Sequence, residues 1–98
     1  MSMEGKKFDE GKLRMDLIPP AAIYGLAKVL SYGSEKYGDR NWEKGIDPGR
    51  IFAAAQRHLW AYWSGEDTDE ESGLSHLDHA ACNIAFLQTY RNGRRVDS

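Results

Sequence analysis

Along this chain, three stretches carry apolar residues at helical spacing, separated by polar, glycine-marked segments. Residues 1–18 are polar and punctuated by glycine, and the pattern predicts an extended arm anchored on the helices by Leu13, Met15, Leu17 and Ile18. Pro19-Pro20 stops the arm, and proline suits the first turn of a helix, where a missing N–H loses no bond. Ile23, Leu26, Ala27, Leu30, Ser34 and Tyr37 then recur three or four residues apart, predicting a helix over about Pro20–Tyr37 that Gly38 ends. Gly33 within it is expected to mark a bend or a close approach. After a loop from Asp39, Asp47-Pro48 supplies an N-cap and a first-turn proline. Ile51, Ala55, Leu59 and Tyr62 form the apolar stripe of a second helix, about Pro48–Trp63, closed by Gly65. The acidic segment 66–73 follows, and Ser75 and Asp78 have the spacing of a capping box. A third helix is expected from near Ser75 to about Arg91, with Leu77, Ala81, Ile84 and Gln88 on one stripe. Asn92-Gly93 ends it, leaving 92–98 as a flexible basic tail.

The pattern therefore predicts an all-α fold, with residues 1–98 as one domain: a small three-helix bundle with an N-terminal arm. A chain of 98 residues buries a modest core. Three Trp, five Tyr and three Phe in a chain of mean hydropathy -0.65 imply that part of that core lies between subunits. A homo-oligomer, dimer or larger, is expected, with Phe52, Trp60 and Trp63 serving core or interface.

Charge narrows the partners. Fifteen acids against 13 bases give a net charge of -2, and the bases form no single patch, which argues against a nucleic-acid partner. No apolar run approaches the roughly 18 residues of a membrane span, and no secretory signal is visible. A single cysteine, Cys82, cannot form an internal disulfide and reads as a small core residue; a cytoplasmic setting is expected.

The candidate chemistry sits where the second and third helices meet. His76, His79, Asn83, Phe86 and Tyr90 form one stripe of the third helix, polar at its N-terminal half and aromatic beyond, suited to lining a pocket. His76 and His79, one turn apart, can share a metal ion or a phosphate. The helix N-terminus favours phosphate and the neutral, metal-ligating imidazole. His58 lies on the second helix. Glu66, Asp67, Asp69, Glu70 and Glu71 supply oxygen donors of the kind that suit Mg²⁺ or Mn²⁺. Because an acidic run is usually a solvated turn, only one or two of these five acids should be engaged. Asp78 reads as a helix cap.

Two long strings add a resemblance. KFDEGKLRMDLIPPAAIYGLAKVLSYGSEKYGDRNWEKG and RHLWAYWSGEDTDEESGLSHLDHAACNIAFL, together covering most of residues 7–87, resemble the phage dATP/dGTP diphosphohydrolase N-terminal family. The resemblance implies a fold related to the MazG-like pyrophosphohydrolases, which cleave a nucleoside triphosphate to monophosphate and pyrophosphate with Mg²⁺ or Mn²⁺ and work as dimers or larger assemblies. It implies purine nucleotides as substrates and a role in nucleotide-pool control during infection, in the host cytoplasm if the chain is phage-encoded. Lys12, Arg14 and Lys36 match basic positions suited to phosphate oxygens. Tyr37, Asn41 and Trp42 match positions that could hold a base. The chain departs from the MazG-like pattern in its metal ligands: the first acidic pair is not evident around Gln56–Leu59, and His76-x-x-His79 stands where the second is expected.

The leading expectation is a metal-dependent hydrolase of a purine (deoxy)nucleoside triphosphate. His58, Glu66, Glu71, His76 and His79 would form the metal set. Glu71, His79 and Lys36 would be the catalytic groups, and Lys12, Arg14, Lys36, Tyr37, Asn41, Trp42 and Asn83 would hold the substrate. The alternative is a binding module that sequesters a nucleotide or a cyclic-nucleotide immune signal without cleaving it. A third reading is a structural protein whose histidines only knit the helices together.

Overall fold

In a computed structural model describing residues 5–91, the expected helices are present: α1 (Pro20–Tyr37), α2 (Pro48–Trp63) and α3 (His76–Arg91). Short 3-10 turns lie at Met15–Leu17 and Asn41–Lys44. The tail at 92–98 lies outside the described residues.

The helix ends follow from local chemistry. Gly38, at φ 94°, closes α1 and donates its N–H to the Ser34 carbonyl. Asp47 accepts from the Gly49 N–H at the start of α2, and Gly65, at φ 104°, turns the chain away beyond Ser64. At the start of α3, Ser75 Oγ accepts from the Leu77 N–H at 3.1 Å, and the His76 N–H bonds to the Asp67 carbonyl at 3.0 Å. The reciprocal half of the expected capping box is absent. Asp78 turns instead toward α1, where its carboxylate lies against Gly25. The close approach between helices is therefore at Gly25 and not at Gly33, where a Cβ would project into open space.

Helix α3 is the spine. It packs along α2 and, less extensively, against α1. Gly25 and Val29 of α1, Ile51 and Ala55 of α2, and His76, Ala80, Cys82 and Tyr90 of α3 are buried. The segment between α1 and α2 is pinned to the far end of α3. Trp42 stacks on Phe86, with ring centroids 5.2 Å apart. The Tyr90 hydroxyl donates to the Trp42 carbonyl (2.5 Å) and accepts from the Ile46 N–H (3.2 Å).

The buried faces differ from the most apolar stripes. On α1, Ile23, Leu30 and Tyr37 are exposed while Gly25 and Val29 face inward. On α3, Leu77, Ala81, Ile84 and Gln88 are exposed, and the histidine-bearing side is the packed one. Small residues explain the choice, because Gly25 and Ala80 let the helices approach where larger side chains would hold them apart. The arm does not pack as expected either: Leu13, Met15 and Leu17 stay exposed.

The result is an open molecule. Its accessible surface is 8120 Å², against about 5,700 Å² for a folded monomer of 11.1 kDa. Its radius of gyration is 17.0 Å, where about 12.6 Å is typical of a compact domain this size.

Candidate functional site: a histidine–carboxylate junction

Three elements converge at the N-terminal end of α3: the face of α2 carrying His58, the first turn of α3 carrying His76 and His79, and the acidic loop. The loop is tightly closed. Thr68 and Ser75 form an isolated antiparallel bridge, the Asp69 N–H bonds to the Leu74 carbonyl, and the Gly73 N–H bonds to the Asp69 carbonyl, both at 2.8 Å. Gly73, at φ 73°, makes the turn, in a conformation costly for any residue with a side chain. Asp69 Oδ2 accepts from the Ser72 N–H at 2.9 Å, so the backbone of its own loop fixes the Asp69 carboxylate.

All three histidines of the chain meet here. Nδ1 of His58 lies 2.8 Å from Nδ1 of His76, and the His58 ring stacks on His79 with centroids 4.6 Å apart. His76, only 4% exposed, donates from Nε2 to Glu66 Oε2 at 2.6 Å. With the Nε2 hydrogen committed to Glu66, the Nδ1 side of the ring is the one that meets His58. His79 Nε2 shares a 2.7 Å hydrogen bond with Ser72 Oγ, which also accepts from the Leu74 N–H. One ring nitrogen from each of His58 and His76 and one carboxylate oxygen of Asp69 lie within 4.8 Å of one another.

The electrostatics follow the geometry. Burial, reinforced by the neighbouring His79 and His76, lowers the His58 pKa below that of a free imidazole. Burial also lowers His79, against the upward pull of Asp69. For Asp69, partial burial acts upward, but hydrogen bonds from Ser72 and the nearby imidazoles outweigh it and leave the carboxyl below its usual value. Burial thus favours neutral His58 and His79 beside an ionised Asp69 carboxylate.

Beside the junction, α1 contributes a second cluster. Glu71 accepts from both Lys36 and the Tyr32 hydroxyl. The Lys36 bond, then the Tyr32 bond, hold the Glu71 carboxyl low, while Glu71 raises both partners. Tyr32 presents its ring edge-on to His79 at 6.3 Å, linking the two clusters. Between α1 and the acidic loop runs an open groove of about 390 Å³, lined among others by Tyr24, Lys28, Tyr32, Glu35, Ser72 and Leu74.

The structure brings together His58, His76, His79 and Glu66 from the expected metal set, with Glu66 bonded to the outer nitrogen of His76. Glu71 is turned to Lys36 and Tyr32. Lys36 also lies over the rings of Tyr37 (5.3 Å) and Tyr32 (5.9 Å). Asn41 and Trp42 sit in the 3-10 turn near the opposite end of α3, with Trp42 engaged by Phe86. Asn83 is half-buried on α3. Lys12 and Arg14 are on the exposed arm, away from the junction, and Arg14 is paired with Asp16 at 2.8 Å.

Sequence reasoning offered Asp69 among five loop acids but favoured Glu66 and Glu71, and it passed over Ser72, Tyr24, Lys28 and Tyr32 as site residues. Tyr24, Lys28, Tyr32 and Glu35 at spacings of four, four and three give a polar–aromatic stripe on α1 that periodicity could have exposed. Nothing in the sequence separates Asp69 from its four acidic neighbours.

These features define a small all-α protein with a histidine–carboxylate junction between two helices and a closed acidic loop. The chain belongs to the family described as dATP/dGTP diphosphohydrolase, N-terminal, which matches residues 2–98. It is 39% identical over 92 residues to a dATP/dGTP diphosphohydrolase of Salmonella phage PMBT28, an alignment covering 94% of this chain and 31% of that relative. The chain therefore spans less than a third of the relative's length. No solved structure matches it. Among the described residues, no helix is long and apolar enough to cross a membrane.

Proposed function

We propose that this protein hydrolyses a purine deoxynucleoside triphosphate, releasing monophosphate and pyrophosphate, in phage nucleotide metabolism. The observation that carries the reading is the convergence of three histidines and Asp69 at one junction, with Lys36 held beside it through Glu71 and Tyr32, in a chain of a family named for that activity. The groove's tyrosines offer faces for a base, and Lys28 and Lys36 offer charge for phosphate oxygens. Water adds to phosphorus as the bond to the pyrophosphate oxygen breaks. His79, kept neutral by burial and oriented by Ser72, takes the water's proton. Lys36 is free to meet developing negative charge once phosphate displaces Glu71 from it.

A divalent ion would be held at the junction by His58, Asp69 and His76. Such an ion supplies phosphate neutralisation and a more acidic water.

Assembly is part of the proposal. Phe52, Trp60 and Trp63 on α2 and Ile23 and Leu30 on α1 are the exposed apolar side chains that a second copy would cover.

The test is incubation with dGTP or dATP and Mn²⁺, read by pyrophosphate release. Activity lost in His79→Ala and Lys36→Ala supports the hydrolase. A nucleotide bound tightly and returned intact overturns it in favour of sequestration.

A further inference from the structure

The donors at the junction say more about the ion than the hydrolase reading requires. Mg²⁺ takes hard oxygen ligands in octahedral geometry and is seldom held by imidazole, whereas imidazole suits the divalent first-row transition metals. Here two of the three donors are ring nitrogens. The sites are also prepared before any ligand arrives. His76 is buried, its Nε2–H is spent on Glu66, and its Nδ1 therefore accepts from the His58 Nδ1–H, 2.8 Å away, a proton that a bound ion would displace. A carboxylate that fixes a histidine's outer nitrogen sets the tautomer and the ring orientation of a metal ligand. Asp69 is held in turn by the Ser72 N–H. The remaining acids of the loop do not share this placement, and Glu71, the most tightly engaged, is committed to Lys36 and Tyr32.

We propose that His58, Asp69 and His76 bind a divalent transition-metal ion of the Mn²⁺-to-Zn²⁺ class as a resident ion, in the absence of nucleotide and in preference to Mg²⁺, with Glu66 as the positioning residue behind His76. The inference deepens the hydrolase reading at the same junction, but it is tested on metal binding alone. The three donors lie on α2, the acidic loop and α3, so the ion would tie the loop to both helices. With only three protein ligands, such an ion would keep positions for water or phosphate oxygens.

The experiment uses the full chain stripped with EDTA and titrated with MnCl₂, ZnCl₂ or MgCl₂ without nucleotide, by calorimetry and by thermal unfolding. The expected result is saturable binding of Mn²⁺ or Zn²⁺ at one ion per chain, tighter than any Mg²⁺ binding. At ~100 times its dissociation constant, the ion should raise the folded-to-unfolded ratio about 100-fold. Asp69→Asn and His58→Gln abolish or severely weaken binding, Glu66→Gln weakens it by about 10- to 100-fold, and His79→Gln leaves it in place. The Glu66 variant separates positioning from mere folding, because its circular dichroism stays native while metal affinity falls. Mg²⁺ binding as tightly as Mn²⁺ or Zn²⁺, no ion binding at all, or unchanged affinity in natively folded Asp69→Asn and His58→Gln would overturn the proposal. An ion retained without nucleotide cleavage fails only the hydrolase reading. Mg²⁺-supported cleavage with no nucleotide-free transition-metal binding fails only this one.

Discussion

Replacing Gly25 with alanine should reverse its effect on stability according to what stands at position 78. A methyl group on Gly25 would fall inside the Asp78 carboxylate, meeting both oxygens and the carbon between them, so either the side chain or the α1–α3 packing must shift. Overpacking of this kind costs about 1–3 kcal/mol. Alanine in a helix interior regains up to ~1 kcal/mol over glycine. The net expectation for Gly25→Ala is a loss of ~0–2 kcal/mol, and each kcal/mol corresponds to roughly 4–8 °C in Tm for a chain of this size. In an Asp78→Ala background the obstruction is gone and only the helix term remains, so the same substitution should stabilise by up to ~1 kcal/mol. The assay is a double-mutant cycle by scanning calorimetry and urea unfolding at fixed protein concentration, because assembly would make Tm concentration-dependent. Gly25→Ala giving the same change in both backgrounds would refute the claim that the Asp78 carboxylate is what keeps this position a glycine.

Three further outcomes follow from the packing and the titrating groups. Tyr90→Phe removes a hydroxyl that serves both the Trp42 carbonyl and the Ile46 N–H, and should cost about 1–3 kcal/mol in urea unfolding, since it strands part-buried backbone groups. In EDTA the protein should lose stability on acidification. His58 and His79 have folded pKa values below the unfolded value of about 6.5, so their contribution is complete above that pH and is lost as pH falls from there through the folded values. A Tm profile from pH 8 to 5 that flattens in His58→Gln and His79→Gln checks this, and a flat wild-type profile contradicts it. Cys82, buried and pushed up to about 11, should resist a thiol reagent in native buffer and react fully in denaturant; rapid native labelling would contradict its placement.

The helices were legible in the sequence because their boundaries rest on strong local chemistry: Pro20 and Pro48 at first turns, Gly38 and Gly65 at ends, Ser75 before α3. Which face turns inward was not, because periodicity identifies the most apolar stripe without saying whether this chain or another surface covers it. Thus Leu77 and Ile84 are exposed while His76 is buried. The meeting of the histidines was visible in spacing, since one turn separates His76 from His79 and His58 lies on the preceding helix. The selection of Asp69 was not, because it depends on the turn at Gly73 and the Ser72 bond, which only the folded loop reveals. Asp78 illustrates the same limit, as its spacing from Ser75 suits a cap while its carboxylate lies against another helix.

Surface loops ordinarily tolerate gained or lost residues. The segment joining α2 to α3 should behave otherwise. Its Thr68–Ser75 bridge closes a short circuit of chain whose internal bonds aim one acid at the imidazoles and leave Glu70 facing water. Drift in the sign or size of the outward side chains would leave that aim intact, while a single inserted or deleted residue would turn it elsewhere. Variation across relatives should therefore take the form of substitution at constant length.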